Sequence, residues 1–162
     1  MATTITPATL TVTITEAVTL NGYDQGSSNV FTVASVNDVV KRIVEIPTAE
    51  TGLIGFDSAS LFTTGYVAGQ FAEGSVRYVR ITNKDDTNHL ELVVRTSGSA
   101  EFALLLDAKG SFILPCDQAG GVVNVADASN AALGVYTLED VVDITAKADT
   151  SPVDVEVFVA SV

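Results

Sequence analysis

The chain has 162 residues, one cysteine, no tryptophan, and 20 Asp+Glu against 8 Lys+Arg, a net charge of -12. That length fits a single domain spanning residues 1–162, and a domain of this size buries about two-thirds of its unfolded surface. The lone Cys116 excludes an intrachain disulfide, and so acidic a surface repels polyphosphate and anionic lipid, which argues against nucleic-acid and membrane partners.

From the N-terminus, MATTITPATLTVTITEAV has neither a basic cluster nor an unbroken apolar run, so no signal peptide or membrane anchor is expected. Leu10, Val12 and Ile14 alternate with Thr9, Thr11, Thr13 and Thr15, the period of a half-buried strand. Val18 and Leu20 lead to Asn21-Gly22, a turn pair. GYDQGSSN reads as an exposed loop before the strand Val30 to Val36. NDVVKRIVEIP is compatible with a helix begun at Asn37, but its β-branched content favours a strand. GLIGF and LFTTGYV read as further short strands, and the Gly-rich stretch Thr64 to Ser75 as a long surface loop.

Three strand pairs follow as predicted hairpins. In RYVRITNKDDTNHLELVVRT, Arg77 to Thr96, a loop at Asn83 to Asn88 sets Ile81 against Leu90, Val79 against Leu92, Arg80 against Glu91 and His89 beside Thr82. EFALLL and SFILP flank Asp107 to Gly110 as a second hairpin. After the strand VVNVAD, begun at Ala119-Gly120-Gly121, and a small-residue loop from Ala128 to Gly134, the terminal segment makes the third. There Ile144, Ala146 and Ala148 turn through Asp149 to Pro152 into Val153, Val155, Val157 and Val159, with Lys147 facing Asp154 and Ile144 facing Val157.

The residues that invite chemistry are few. His89 is the only histidine and lacks a second histidine or cysteine beside it, so it reads as a solvent-facing strand residue. Asp85 and Asp86 read as turn residues; a calcium site built from them and loop carbonyls is the alternative, although the D-x-D-x-D-G spacing is missing. Cys116 closes an apolar run and reads as a buried, inert thiol. No G-x-G-x-x-G, G-x-x-x-x-G-K-[ST] or G-x-S-x-G motif occurs. A non-enzymatic chain follows, with no catalytic, cofactor-binding or metal-ligating residue assigned.

Roughly nine to eleven strands at this spacing predict an all-β, antiparallel β-sandwich of jelly-roll type. TLTVTITEAVTLNG, RYVRITNKDDTNHLELVV, AEFALLLDAKGSFILP and VDVEVFVASV together resemble small β-rich virion structural proteins of marine tailed bacteriophages. The resemblance spans nearly the whole chain and implies a capsid- or tail-associated subunit with no catalytic residues to carry over. A charge of -12 beside packaged DNA is unfavourable. The expected place is therefore the capsid exterior, as a decoration or cement protein made in the host bacterial cytoplasm. It would bind the major capsid protein through apolar patches and sheet edges, and itself in a trimer or other cyclic homo-oligomer. The 47% hydrophobic content and mean hydropathy of +0.37 fit such shared surfaces. The alternatives are a tail or fibre protein and a receptor- or carbohydrate-binding sandwich, for which Tyr23, beside Asp24 and Gln25, and Tyr66 are the ring candidates.

Overall fold

The computed structural model describes residues 4–56, 65–116, 121–127 and 137–162. Its strands, in chain order, are β1 (Ala8–Glu16), β2 (Thr19–Leu20), β3 (Tyr23–Asp24), β4 (Ser27–Val36), β5 (Asp38–Ile46), β6 (Thr51–Phe56), β7 (Gln70–Phe71), β8 (Val76–Asn83), β9 (Leu90–Thr96), β10 (Glu101–Leu106), β11 (Ser111–Pro115), β12 (Val141–Ala148) and β13 (Val153–Ser161). A 3-10 turn at Glu73–Ser75 is the only helical piece among the described residues. The alternating apolar residues thus form strands as their period requires, and NDVVKRIVEIP is β5.

Two sheets stack as a sandwich. One has the order β10-β9-β12-β6-β7, the other β11-β8-β13-β5. Leu90, Leu92, Val94, Ile144 and Ala146 from the first meet Val79, Ile81, Val155, Val157 and Val159 from the second in one core, each at most 1% exposed. Among the described residues every long ladder is antiparallel, and only the two-residue pairing of β6 with β7 is parallel.

This arrangement corrects all three predicted hairpins. β8 and β9 lie in different sheets, as do β10 and β11, and β12 and β13. Val79 pairs with Val159 and Leu114, and Leu92 with Leu104 and Ala146. Arg80 meets Glu156, not Glu91, while Glu91 lies 3.6 Å from Lys147, which was expected at Asp154. Each short polar loop is a corner that carries the chain over the sandwich edge, so the apolar faces of its two strands confront one another across the core. One β9–β10 hairpin, closed by Thr96 N–H donating to Ala100 C=O at 2.9 Å, supplies the local pairing.

Other expectations shift locally. Tyr23–Asp24 and Ser27–Asn29 are strand, not loop. Thr64 to Ser75 contains β7 and the 3-10 turn, with Ala68 fully buried. In VVNVAD, Val122 to Asn124 are turn and Ala126 makes one bridge with Glu139, so no strand forms there. Most of LFTTGYV, Ala119-Gly120 and the loop from Ala128 to Gly134 lie outside the described residues.

Candidate functional site

The most distinctive surface is built by the first strands. β1 pairs with β4 and β2 with β3 in one continuous register, from Leu10 opposite Val33, through Val12 opposite Phe31 and Glu16 opposite Ser27, to Leu20 opposite Tyr23. Asn21 and Gly22 close it with φ of 51° and 83°, the pair of positive values that a two-residue hairpin turn matched to strand twist demands. At about 3.4 Å per residue, the thirteen steps from Ala8 to Asn21 make an arm roughly 45 Å long.

The pleat gives this arm two unlike faces. Thr11, Thr13, Thr15 and Thr19 with Thr32, Val30, Ser28 and Asp24 form the mainly polar one. Leu10, Val12, Ile14, Glu16, Val18 and Leu20, with Val33, Phe31, Asn29, Ser27, Gln25 and Tyr23 opposite, form the more apolar one, polar across its middle. Near its root the apolar face is covered, fully at Val33 and Val36 and partly at Leu10, Val12 and Phe31. Leu10, Val12, Phe31, Val33 and Val36 pack on Tyr78, Ile113, Phe158 and Ala160 of the β11-β8-β13-β5 sheet, a cluster separate from the main core. Tyr78 sits between Phe31 and Phe158, with ring centroids 5.9 Å apart in both pairs. A groove of about 290 Å³ runs between β1 and the sheet, lined by Leu10, Val12, Ile14, Arg80, Ile113 and Phe158 among others.

Beyond the root the same face is uncovered: Val18 is 51%, Leu20 61% and Tyr23 73% exposed. Residues 8–36 carry only Glu16 and Asp24 as charges, against a chain total of 20 acids and 8 bases. An exposed apolar stripe with almost no charge is what a binding surface looks like.

Beside the root, the outward face of the sheet carries a charge cluster. Arg80 Nη2 donates to Glu156 Oε1 at 2.5 Å and Lys41 Nζ lies 3.3 Å from Glu156 Oε2. The hydrogen bond from Arg80, then that from Lys41, holds the Glu156 carboxyl below the ordinary glutamate range. On the opposite sheet Arg95 gathers Glu50 at 2.6 Å, Glu101 at 3.3 Å and the fully buried Asp143 at 3.5 Å, and its hydrogen bond lowers the Glu50 pKa. Sequence reasoning did not single out this network. Its members are far apart in the chain, and only strand pairing assembles them.

The residues that had invited chemistry are placed as follows. Asp85 Oδ1 accepts the backbone N–H of Thr87 at 2.7 Å and of Asn88 at 2.6 Å, and those bonds lower its pKa. Asp86 turns to Lys109. The neighbouring hollow also exposes Glu45, Lys84 and Asp154; among the described residues no set of three or more His, Cys, Asp or Glu is grouped to hold a metal ion. Asn83, buried at the start of this corner, donates to Asn88 C=O at 2.9 Å and Leu106 C=O at 3.2 Å, stitching two corners together. His89 Nδ1 lies 3.6 Å from Asp149, not beside Thr82. Cys116 is buried, 2% exposed. Of the two ring candidates, Tyr23 stands open at the arm tip. Tyr66 lies against Gly55 and its hydroxyl donates to Asp143 at 3.3 Å, so it is partly buried.

No family model matches the chain, and no curated protein shows significant similarity to it.

Proposed function

We propose that the chain is a non-enzymatic structural subunit of a tailed-bacteriophage virion, a decoration or cement protein on the outer shell that binds the major capsid protein. The observation that carries this reading is the arm. A two-stranded ribbon is marginal in water by itself, yet here its distal half is solvated and presents Val18, Leu20 and Tyr23. Such a face is stabilised when another surface covers it, and a sheet edge beside it can pair with a neighbour's strand.

The strand order adds support. Omitting the arm and β7, the orders β5-β13-β8-β11 and β6-β12-β9-β10 arise because β5, β6, β8 and β9 alternate between the sheets, as do β11, β12 and β13, with β10 beside β9. We read this eight-stranded pattern as a jelly roll, an architecture that recurs in viral capsid domains. The charge of -12 favours the shell exterior over the DNA-filled interior, and copies are proposed to associate in a cyclic homo-oligomer. Synthesis would be in the host bacterial cytoplasm.

Quantitative mass spectrometry of purified particles tests the proposal. A copy number matching capsomer geometry is the expected result, and absence from the particle overturns it. A few copies per particle would instead favour the second reading, a tail or fibre protein or a receptor- or carbohydrate-binding module, which the open Tyr23 ring at the arm tip supports. Binding on a glycan array, lost in Tyr23→Ala, would identify that module.

A further inference from the structure

From the mouth of the groove outward the arm presents side chains on one face at every second position: Ile14, Glu16 and Val18, an apolar, acidic, apolar sequence. Glu16 is the only charged side chain on that face, and Ser27 Oγ donates to its Oε2 at 2.5 Å. The outward face of β5 presents the complementary order at the same spacing: Val39, Lys41 and Ile43. Val39 is 50% and Ile43 61% exposed, against 38% for Ile14 and 51% for Val18. In both strands alternate side chains repeat at about 7 Å, so the two stripes match in pitch as well as in chemistry.

Charge also singles out this pairing. Lys41, Arg80 and Glu156 together leave one positive charge beside Val39 and Ile43, with Glu45 and Asp154 paired farther along the same face, and the arm brings only acids. Lys41 is 60% exposed at its side chain and keeps donors beyond its contact with Glu156. Continuity points the same way. Lys41 is paired across the ladder with Phe158, and Val39 with Ala160, so the β5 stripe lies beside the residues that the chain's own arm root covers.

We infer that the distal arm of one copy docks on the β5 stripe of a second copy, Ile14, Glu16 and Val18 lying against Val39, Lys41 and Ile43, next to the second copy's own arm root. The contact uses two different surfaces. It therefore repeats around a ring or along a row, leaving every copy with one arm given and one received. The inference rests on the part of the proposed function in which copies associate, and it names the surfaces that do so.

Sedimentation velocity and light scattering on the full chain test it. Wild type is expected to be a multiple of 16.8 kDa. Glu16→Lys alone and Lys41→Glu alone are each expected to weaken association at least tenfold, and the two together in one chain to restore it. Val18→Asp, at an exposed position that leaves the fold intact by circular dichroism, is expected to give the single-chain mass. A wild-type chain that stays at the single-chain mass at high concentration overturns the contact, as does an oligomer indifferent to Val18→Asp or to both charge reversals. Capsid binding is read separately by co-pelleting with particles. A chain that pellets yet never self-associates overturns this inference and leaves the decoration reading standing.

Discussion

Replacing Phe31 with alanine tests whether the arm is held by its root. Phe31 contacts Tyr78 at 5.9 Å between ring centroids and belongs to the small cluster with Val33, Val36 and Ala160, not to the main core. A fully buried phenylalanine truncated to alanine costs about 3–5 kcal/mol. Phe31 is only partly buried, so about half of that, ~2 kcal/mol, is the working figure, and it corresponds to roughly a 30-fold larger population of detached arm. Because a two-stranded ribbon frays when unsupported, detachment exposes the ladder amides of Leu10, Val12 and Val33 to solvent. Native-state hydrogen exchange read at those amides should accelerate by about that factor. The control is Thr32→Ala, one residue along but on the polar face, where a change within about 0.5 kcal/mol is expected. Equal effects of the two substitutions, or none from either, would refute the assignment of faces and the docking of the root.

Three further outcomes follow from specific contacts. Arg95→Met withdraws the guanidinium from Asp143, which is 0% exposed, and should cost about 3–5 kcal/mol in urea unfolding, with part of the loss recovered when Asp143→Asn is added. Gly121→Ala should destabilise by about 3 kcal/mol or more, lowering the melting temperature by several degrees, because φ is +65° and the new Cβ would meet the backbone oxygen of Glu73 at 2.1 Å. For Glu156 the folded pKa is lowered, by the hydrogen bond from Arg80 first. Its contribution is therefore complete above the unfolded value of ~4.3 and is lost as pH falls through the lowered folded value. The stability difference between wild type and Glu156→Gln should be flat from neutral pH to about pH 5 and shrink below ~4.3; a difference that grows on acidification contradicts this sign.

Local chemistry made the turn residues readable, whereas the arm's role was hidden. Asn21-Gly22 closes the arm because both residues take positive φ, and Asp85 caps the β8–β9 corner as a short side chain near free amides does. Nothing in the alternation of Leu10, Val12, Ile14, Val18 and Leu20 shows where burial stops along the stripe. The body shelters Leu10 and Val12 and leaves Leu20 61% exposed, a matter of how far the sheet beneath extends.

The sequence by itself determined that the chain is built of strands, that Asn21-Gly22, Asp85 to Asn88 and Asp107 to Gly110 are turns between them, and that its net charge is acidic. Period-two alternation, β-branched residues and short polar loops act over a few residues, and those forces are the same in any tertiary setting. Partnership was decided only in three dimensions. Ser97 to Ala100 folds β9 back beside β10 in one sheet, while Asp107 to Gly110, a loop of similar length, carries β10 over to β11 in the other. An amphipathic strand hides its apolar face equally well beside a neighbour or across from one, and the choice depends on the twist and packing of all the strands together.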